Sequence, residues 1–452
     1  MKPIFAVPID DKVLIHSPLQ KISALVNPTA ALMIRDAVLF DQAPQEKVNA
    51  LCKALNARPF EVPQPRTGSL QAPMFLGLIP VYGSMTGCIF TDCTAGAEAE
   101  SVMSLETARQ ALDAYFELLT RAGQPLADIR IFGAEAFPAL DVLFFTEAYA
   151  RQRAEQENLA LHLTLVTDGH LPIKIARWVG DHFNDVTLSL EGLQGVGEDE
   201  TFDPFEPSIS SQVFDNACIF SDSPGDLTLR VCTTRRTINH MGDIAAWIVS
   251  SFVPNAVCYQ SWMPKCGSGE GLGAVDPVAF ARAFNQAAYE LEAHGILACH
   301  NPVDFHTPRL SACPVGEDAL IISPEGRINA CPLPLSVWQS ESLPFQIGAV
   351  SPEGFEIDPV ALNDIRALTV LKSPVCEDCI SLFHCAGGCY VNNPREGQSG
   401  RFSDRCLQTR LVTISNLLRA MDQYEAARDW LDHYDAASHD HKVVKDRLKD
   451  FK

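Results

Sequence analysis

Cys376-Glu377-Asp378-Cys379-Ile380-Ser381-Leu382-Phe383-His384-Cys385-Ala386-Gly387-Gly388-Cys389 packs four cysteines into fourteen residues, separated by two, five and three others. Intervals this short let one loop aim several thiolates at a common centre, as iron–sulfur clusters and tetrahedral zinc both require. The pattern extends in both directions. Upstream stand Cys313, Gly326 and, four intervening residues later, Cys331; downstream stands Cys406. Gly326, in Ser323-Pro324-Glu325-Gly326, reads as a turn that reverses a hairpin and returns Cys331 toward Cys313. Residues 301–410 are rich in glycine and proline and poor in long apolar runs. That composition suits a small domain held by metal rather than by a core.

The remaining chemistry is consistent with metal ligation. The 452 residues carry 35 Lys+Arg against 56 Asp+Glu, a formal charge of −21. This balance argues against a nucleic-acid binder, whose phosphate contacts need clustered basic charge, and against docking on an anionic membrane. With 47% hydrophobic and 20% charged residues the chain is a packed globular protein. Met1-Lys2-Pro3-Ile4-Phe5 runs straight into an alternating pattern with no basic, apolar leader, and no long uncharged apolar run follows. The expectation is a cytoplasmic chain with reduced thiols, in which 15 cysteines point to metal more than to disulfides.

Residues 72–300 alternate strands and helices. Apolar runs at Phe75–Val81, Ile129–Phe132, Ala160–Thr167, Val186–Leu190, Leu227–Cys232 and Ala256–Gln260 are separated by helical patterns such as Ser104–Ala122 and Pro277–His294. This order predicts a mostly parallel sheet closed into a full or partial barrel, with the active site at the carboxyl ends of its strands. Residues 1–66 read as a separate small α+β module. It has a hairpin across Asp10-Asp11, a third strand Ile22–Val26, a helix Thr29–Phe40 capped by Asn27 with Pro28 behind it, and a second helix Gln45–Ala57. At the other end, Asp404 to about Tyr434 reads as one long helix and Lys442–Lys452 as a frayed tail.

The cysteine order resembles the SPASM domain of radical S-adenosylmethionine (SAM) peptide and protein maturases, such as the anaerobic sulfatase maturases. That domain reads Cys-x(9–15)-Gly-x4-Cys, a gap, Cys-x2-Cys-x5-Cys-x3-Cys, a gap and Cys, and this chain fits every interval. The resemblance implies two auxiliary 4Fe–4S clusters. Cys313, Cys331 and Cys389 would hold the first, and Cys376, Cys379, Cys385 and Cys406 the second. The fourth ligand of the first is left open among Cys299, His300, His306 and an unfilled iron position. The resemblance also implies the fold. A partial (β/α)6 TIM-like barrel would cover 72–300, a SPASM domain 301–410, and a helix and tail 411–452.

Within the barrel, Gly133-Ala134-Glu135 stands where the family has Gly-Gly-Glu against the SAM amino group. Thr167-Asp168-Gly169 is similar to its Thr-Asn-Gly, and Ser189-Leu190-Glu191-Gly192 to its Ser-Leu-Asp-Gly. Arg230 stands where many members place an arginine facing the SAM carboxylate. The resemblance thus implies cofactor contacts from Gly133, Glu135, Ser189 and Arg230. The catalytic Cys-x3-Cys-x2-Cys does not match. The corresponding loop, Ser84 to Gly96, holds only Cys88 and Cys93. With Cys93 as third ligand, Thr86 and Phe90 take the other positions; with Cys88 as first, Asp92 and Ala95 do.

The leading expectation is therefore a chain that has lost SAM cleavage, with SAM in doubt as its cofactor. It would act on a ribosomal peptide or protein beside a catalytic radical SAM maturase. A second reading keeps an active enzyme in which Cys88 and Cys93 share a cluster with an unusual third ligand, such as Asp92, Cys52 or a residue from a partner. A third is a zinc-stabilised binding protein on a barrel scaffold. The 1–66 module resembles the leader-peptide recognition modules of peptide maturases, which bind an extended peptide at a sheet edge.

Overall fold

The computed structural model describes residues 2–40, 42–57, 59–71, 73–82, 101–133, 139–190, 209–261, 275–300, 303–312, 315, 318–333, 345–390, 403–435 and 444–452. Strands β1 (Phe5–Ile9) and β2 (Lys12–Ser17) pair antiparallel with Ile9 opposite Lys12. Asp10 in the turn takes a positive φ of 49°. β3 (Ile22–Val26) adds to the far side of β2. Asn27 caps α1 (Pro28–Leu39) by accepting from the Ala30 N–H at 2.8 Å. α2 (Asn49–Asn56) is shorter than its periodicity predicts, because Glu46–Val48 is a 3-10 turn. Ile4, Val13, Ile15, Ile34, Val38 and Leu55 close a core belonging to this module.

The alternating region folds as β4 (Leu76–Leu78), α3 (Leu105–Ala122), β5 (Leu126–Phe132), α4 (Leu140–Glu157), β6 (Ala160–Thr167), α5 (Ile173–His182), β7 (Asp185–Ser189), α6 (Ser211–Ser221), β8 (Asp226–Thr233), α7 (Met241–Ser251), β9 (Ala256–Ser261), α8 (Pro277–Ala293) and β10 (Leu297–His300). These strands lie parallel and in chain order from β4 to β10. Six of them are the six apolar runs of the sequence. β10 is a further strand at the sheet edge, and its four residues, one of them exposed, leave too short an apolar run to announce it.

The sheet does not stop at β4. β11 (Leu320–Ile322) runs parallel to β4, and β12 (Arg327–Asn329), β13 (Gln346–Ser351) and β14 (Gly354–Ile357) continue antiparallel. This corrects the expectation of a metal-held region without a core. Leu320, Ile321, Ile322, Ile328 and Ile347 are all buried, and the three-residue strands β11 and β12 are too short to read as apolar runs. The expected long helix is also two, Asp404–Arg419 and Tyr424–His433, because Asp422 takes a positive φ of 59° between them. A boundary at residue 410 would cut the first of these. Residues 444–452 are not frayed. Asp446, Arg447 and Leu448 are buried, and Leu448 belongs to the core of the N-terminal module.

One glycine at the carboxyl end of β6 shows how tightly the barrel rim is built. Gly169 has φ +86°, and a Cβ there would lie 2.7 Å from Leu188 Cδ1 and 3.1 Å from Val213 Cγ1. Gly169→Ala combines left-handed strain with overpacking and should destabilise the fold by about 2 kcal/mol or more. A denaturation midpoint equal to that of the unaltered chain would refute this.

Candidate metal centre

Cys376, Cys379, Cys385 and Cys406 line one open cavity, completed by Val375, Ser381, Leu382, Gly387 and Thr409. Three of the thiols come from a loop of single helical turns. The Cys379 N–H donates to the Cys376 carbonyl at 3.1 Å, and the Cys385 N–H to the Ser381 carbonyl at 2.8 Å. The loop then reverses through three consecutive left-handed residues, Ala386, Gly387 and Gly388, with φ of 49°, 85° and 74°. Cys406 is brought in by the Asp404–Arg419 helix. Ser403 caps that helix, and its hydroxyl also donates to Cys406 Sγ at 3.3 Å. Among the described residues no three His, Cys, Asp or Glu side chains are placed to hold a single metal ion.

Burial pushes the Cys379 thiol well up, and neighbouring Asp446 and Cys376 add to the shift. Without a cation in the cavity this thiol stays protonated; a bound cluster would supply the positive charge that its thiolate needs. The donor set of four thiols with apolar flanks therefore fits an iron–sulfur group.

Two ties hold the ligand-bearing elements together. Asp446 accepts from Arg410 Nε and Nη2 at 2.8 and 2.7 Å and from the Ile380 N–H at 3.0 Å. Arg410 lies one turn beyond Cys406, and Ile380 follows Cys379. The Asp446 N–H donates to the Asp378 carbonyl, and the Asp446 carbonyl accepts from the Ala6 N–H of β1 at 2.6 Å. The second tie is a pair of buried imidazoles. His384, between Cys379 and Cys385, meets His16 of β2 with Nε2 to Nε2 at 2.8 Å. Cysteine spacing identified the thiols but not His16, Asp446 or Arg410. The only signal for His384 was its place inside the motif.

The remaining proposed ligands are less completely placed. Cys313 lies outside the described residues. Cys331 and Cys389 lie on segments that approach each other: the Ala330 N–H donates to the Phe345 carbonyl at 2.8 Å, and the Phe345 and Tyr390 rings meet edge to face at 6.3 Å. Cys299 stands in β10 in register with Cys258 of β9. Burial, then Cys258 and Asp304, push its thiol up to about 12. His300 donates from Nδ1 to the Tyr259 carbonyl and faces Gln408 from Nε2, so both ring nitrogens have protein partners.

In the barrel, Gly133, Asp168 and Ser189 stand at the carboxyl ends of β5, β6 and β7 or just beyond. Gly133 donates to the Val166 carbonyl of β6 at 2.9 Å, and Ser189 is in register with Arg230 of β8. Cys88, Asp92, Cys93 and Glu135 lie outside the described residues.

No protein-family model matches the sequence, and no curated protein does. Solved structures do match the fold. Native anSMEcpe with bound AdoMet, an anaerobic sulfatase-maturating enzyme, superposes with a TM-score of 0.57 at 14% identity, covering 77% of this chain and 99% of its own. Streptococcus suis SuiB bound to S-adenosylmethionine gives 0.51 at 12% identity, covering 88% and 97%. SuiB bound to its precursor peptide SuiA gives 0.50 with the same identity and coverage. The chain thus has the fold of the radical SAM maturases, the family its cysteine spacing resembles.

Proposed function

We propose that this chain is an iron–sulfur protein of the SPASM type that takes part in modifying a ribosomal peptide or protein. In this reading its own SAM site is degenerate and a catalytic radical SAM maturase works beside it. The cavity lined by Cys376, Cys379, Cys385 and Cys406 carries the reading, because these are the four thiols the family pattern assigns to one cluster. Cys313, Cys331 and Cys389 would hold the other cluster. Such clusters, when bound, pass single electrons. The chain's own residues keep the loop and the Cys406 helix in register through Asp446, and Ser403 orients the Cys406 sulfur.

The 1–66 module is read as the peptide-recognition unit. β3 is an edge strand, whereas the outer side of β1 is taken by residues 446–448. An extended peptide added to β3 would gain backbone hydrogen bonds there. Binding of the precursor peptide SuiA by SuiB supports a peptide substrate for this fold. Among the described residues no helix is long and apolar enough to cross a membrane.

The test is SAM turnover. Anaerobically reconstituted protein, reduced with dithionite in the presence of SAM, should release no 5′-deoxyadenosine above a protein-free control. Rapid release would overturn the degenerate reading in favour of an active enzyme with unusual ligation around Cys88 and Cys93. In that case Cys93→Ala should abolish the release.

A further inference from the structure

His16 and His384 are 368 positions apart in sequence, yet their ring nitrogens meet in a buried contact at 2.8 Å. The surrounding partners determine which nitrogen carries each proton. His384 Nδ1 lies 2.9 Å from the Asp304 carbonyl, which only accepts, so the His384 proton is on Nδ1 and its Nε2 is an acceptor. His16 must then donate from Nε2, which leaves its Nδ1 to accept from the Ser23 hydroxyl at 2.9 Å. The result is one directed chain: Ser23 O–H to His16 Nδ1, His16 Nε2–H to His384 Nε2, and His384 Nδ1–H to the Asp304 carbonyl. All four ring nitrogens are satisfied with both rings neutral. The Asp304 N–H returns a bond to the His384 carbonyl at 3.1 Å, which fixes the loop backbone as well as the ring.

We infer that His16 is a positioning residue for the four-thiol centre. From the N-terminal module it holds the orientation of His384, and through it the turn that carries Cys379 and Cys385. Ser23, on edge strand β3, completes the hydrogen bonding of the other His16 nitrogen. The module is then part of the centre's support as well as a recognition unit, and an event at the β3 edge is two hydrogen bonds away from the metal-binding loop. This inference rests on the reading that the four thiols hold an iron–sulfur cluster.

His16→Phe keeps a ring of similar size and removes the donor. His16→Gln keeps an N–H donor near the position of Nε2. In the reconstituted full chain, His16→Phe should change the electron paramagnetic resonance line shape of one dithionite-reduced cluster. It should also speed loss of iron to a chelator severalfold, less than the roughly 10- to 100-fold that follows removal of a partner bonded directly to a metal ligand. His16→Gln should restore both, and Ser23→Ala should shift both in the same direction by less. If circular dichroism shows that His16→Phe does not fold, Ser23→Ala alone decides. Full iron with unaltered line shape and chelation rate in the folded variants overturns the inference and leaves the cluster reading standing. A change in His16→Phe that His16→Gln does not restore is a packing effect and also overturns it. Unaltered protein that binds no iron after reconstitution overturns both.

Discussion

Replacing Cys379 with alanine is expected to strip the chain of one cluster, about half of its bound iron, while leaving the protein folded. Cys379 is the buried member of the cavity's thiols, and its side chain is held protonated by burial when no cation is present. Water has little access to replace it as a ligand. Cys376, Cys385 and Cys406 are each partly exposed, so their alanine variants should lose the same iron less completely. Cys52→Ala is the control. Cys52 is just as buried, but it sits in the separate core of the N-terminal module. Its loss should leave the iron content unchanged. Iron and sulfide analysis of the reconstituted variants decides the matter; equal iron in Cys379→Ala and the unaltered chain would remove this cavity as a cluster site.

The largest effect on stability is expected at Asp446. Its carboxylate is buried, takes two bonds from Arg410 and one from the Ile380 N–H, and has no other cation bonded to it among the described contacts. Asp446→Ala leaves the Arg410 guanidinium buried without its counter-charge and the Ile380 N–H without an acceptor. Removing one partner of such a pair costs about 3–5 kcal/mol. Because the same residue links β1, the Cys379 loop and the Cys406 helix, the loss should appear both as a lower denaturation midpoint and as faster proteolysis in residues 374–390. Asp446→Asn retains an acceptor for Ile380 and should recover part of the loss. Replacing both Arg410 and Asp446 by apolar residues of similar volume should cost less than Asp446→Ala alone, since no buried charge is then stranded. Unchanged stability in Asp446→Ala would show that the tie carries no load.

The sequence made the barrel legible because six of its parallel strands, β4 to β9, are apolar runs separated by helical patterns. Ala160–Thr167 matches its run residue for residue. Capping chemistry marked one helix start with similar accuracy, at Asn27. The four-thiol site was legible because its ligands are close in sequence, so spacing alone carries the geometry. What holds that site was not legible. Asp446, Arg410 and His16 reach it from distant segments, and nothing local in Lys445-Asp446-Arg447 distinguishes a buried clasp from a solvated charged run. Short strands such as Leu320–Ile322 and Arg327–Asn329 were hidden for a related reason: three residues show no period, and their burial comes from joining a sheet built elsewhere in the chain.

The central claim is that these cysteines hold iron–sulfur clusters rather than zinc. Mössbauer spectroscopy of the full chain, reconstituted anaerobically with isotopically enriched iron in the presence of competing zinc, tests it most directly. The account predicts the diamagnetic doublet of oxidised 4Fe–4S clusters, with about eight irons per chain. Zinc bound in stoichiometric amount, with no cluster signal in the iron spectrum, would contradict it.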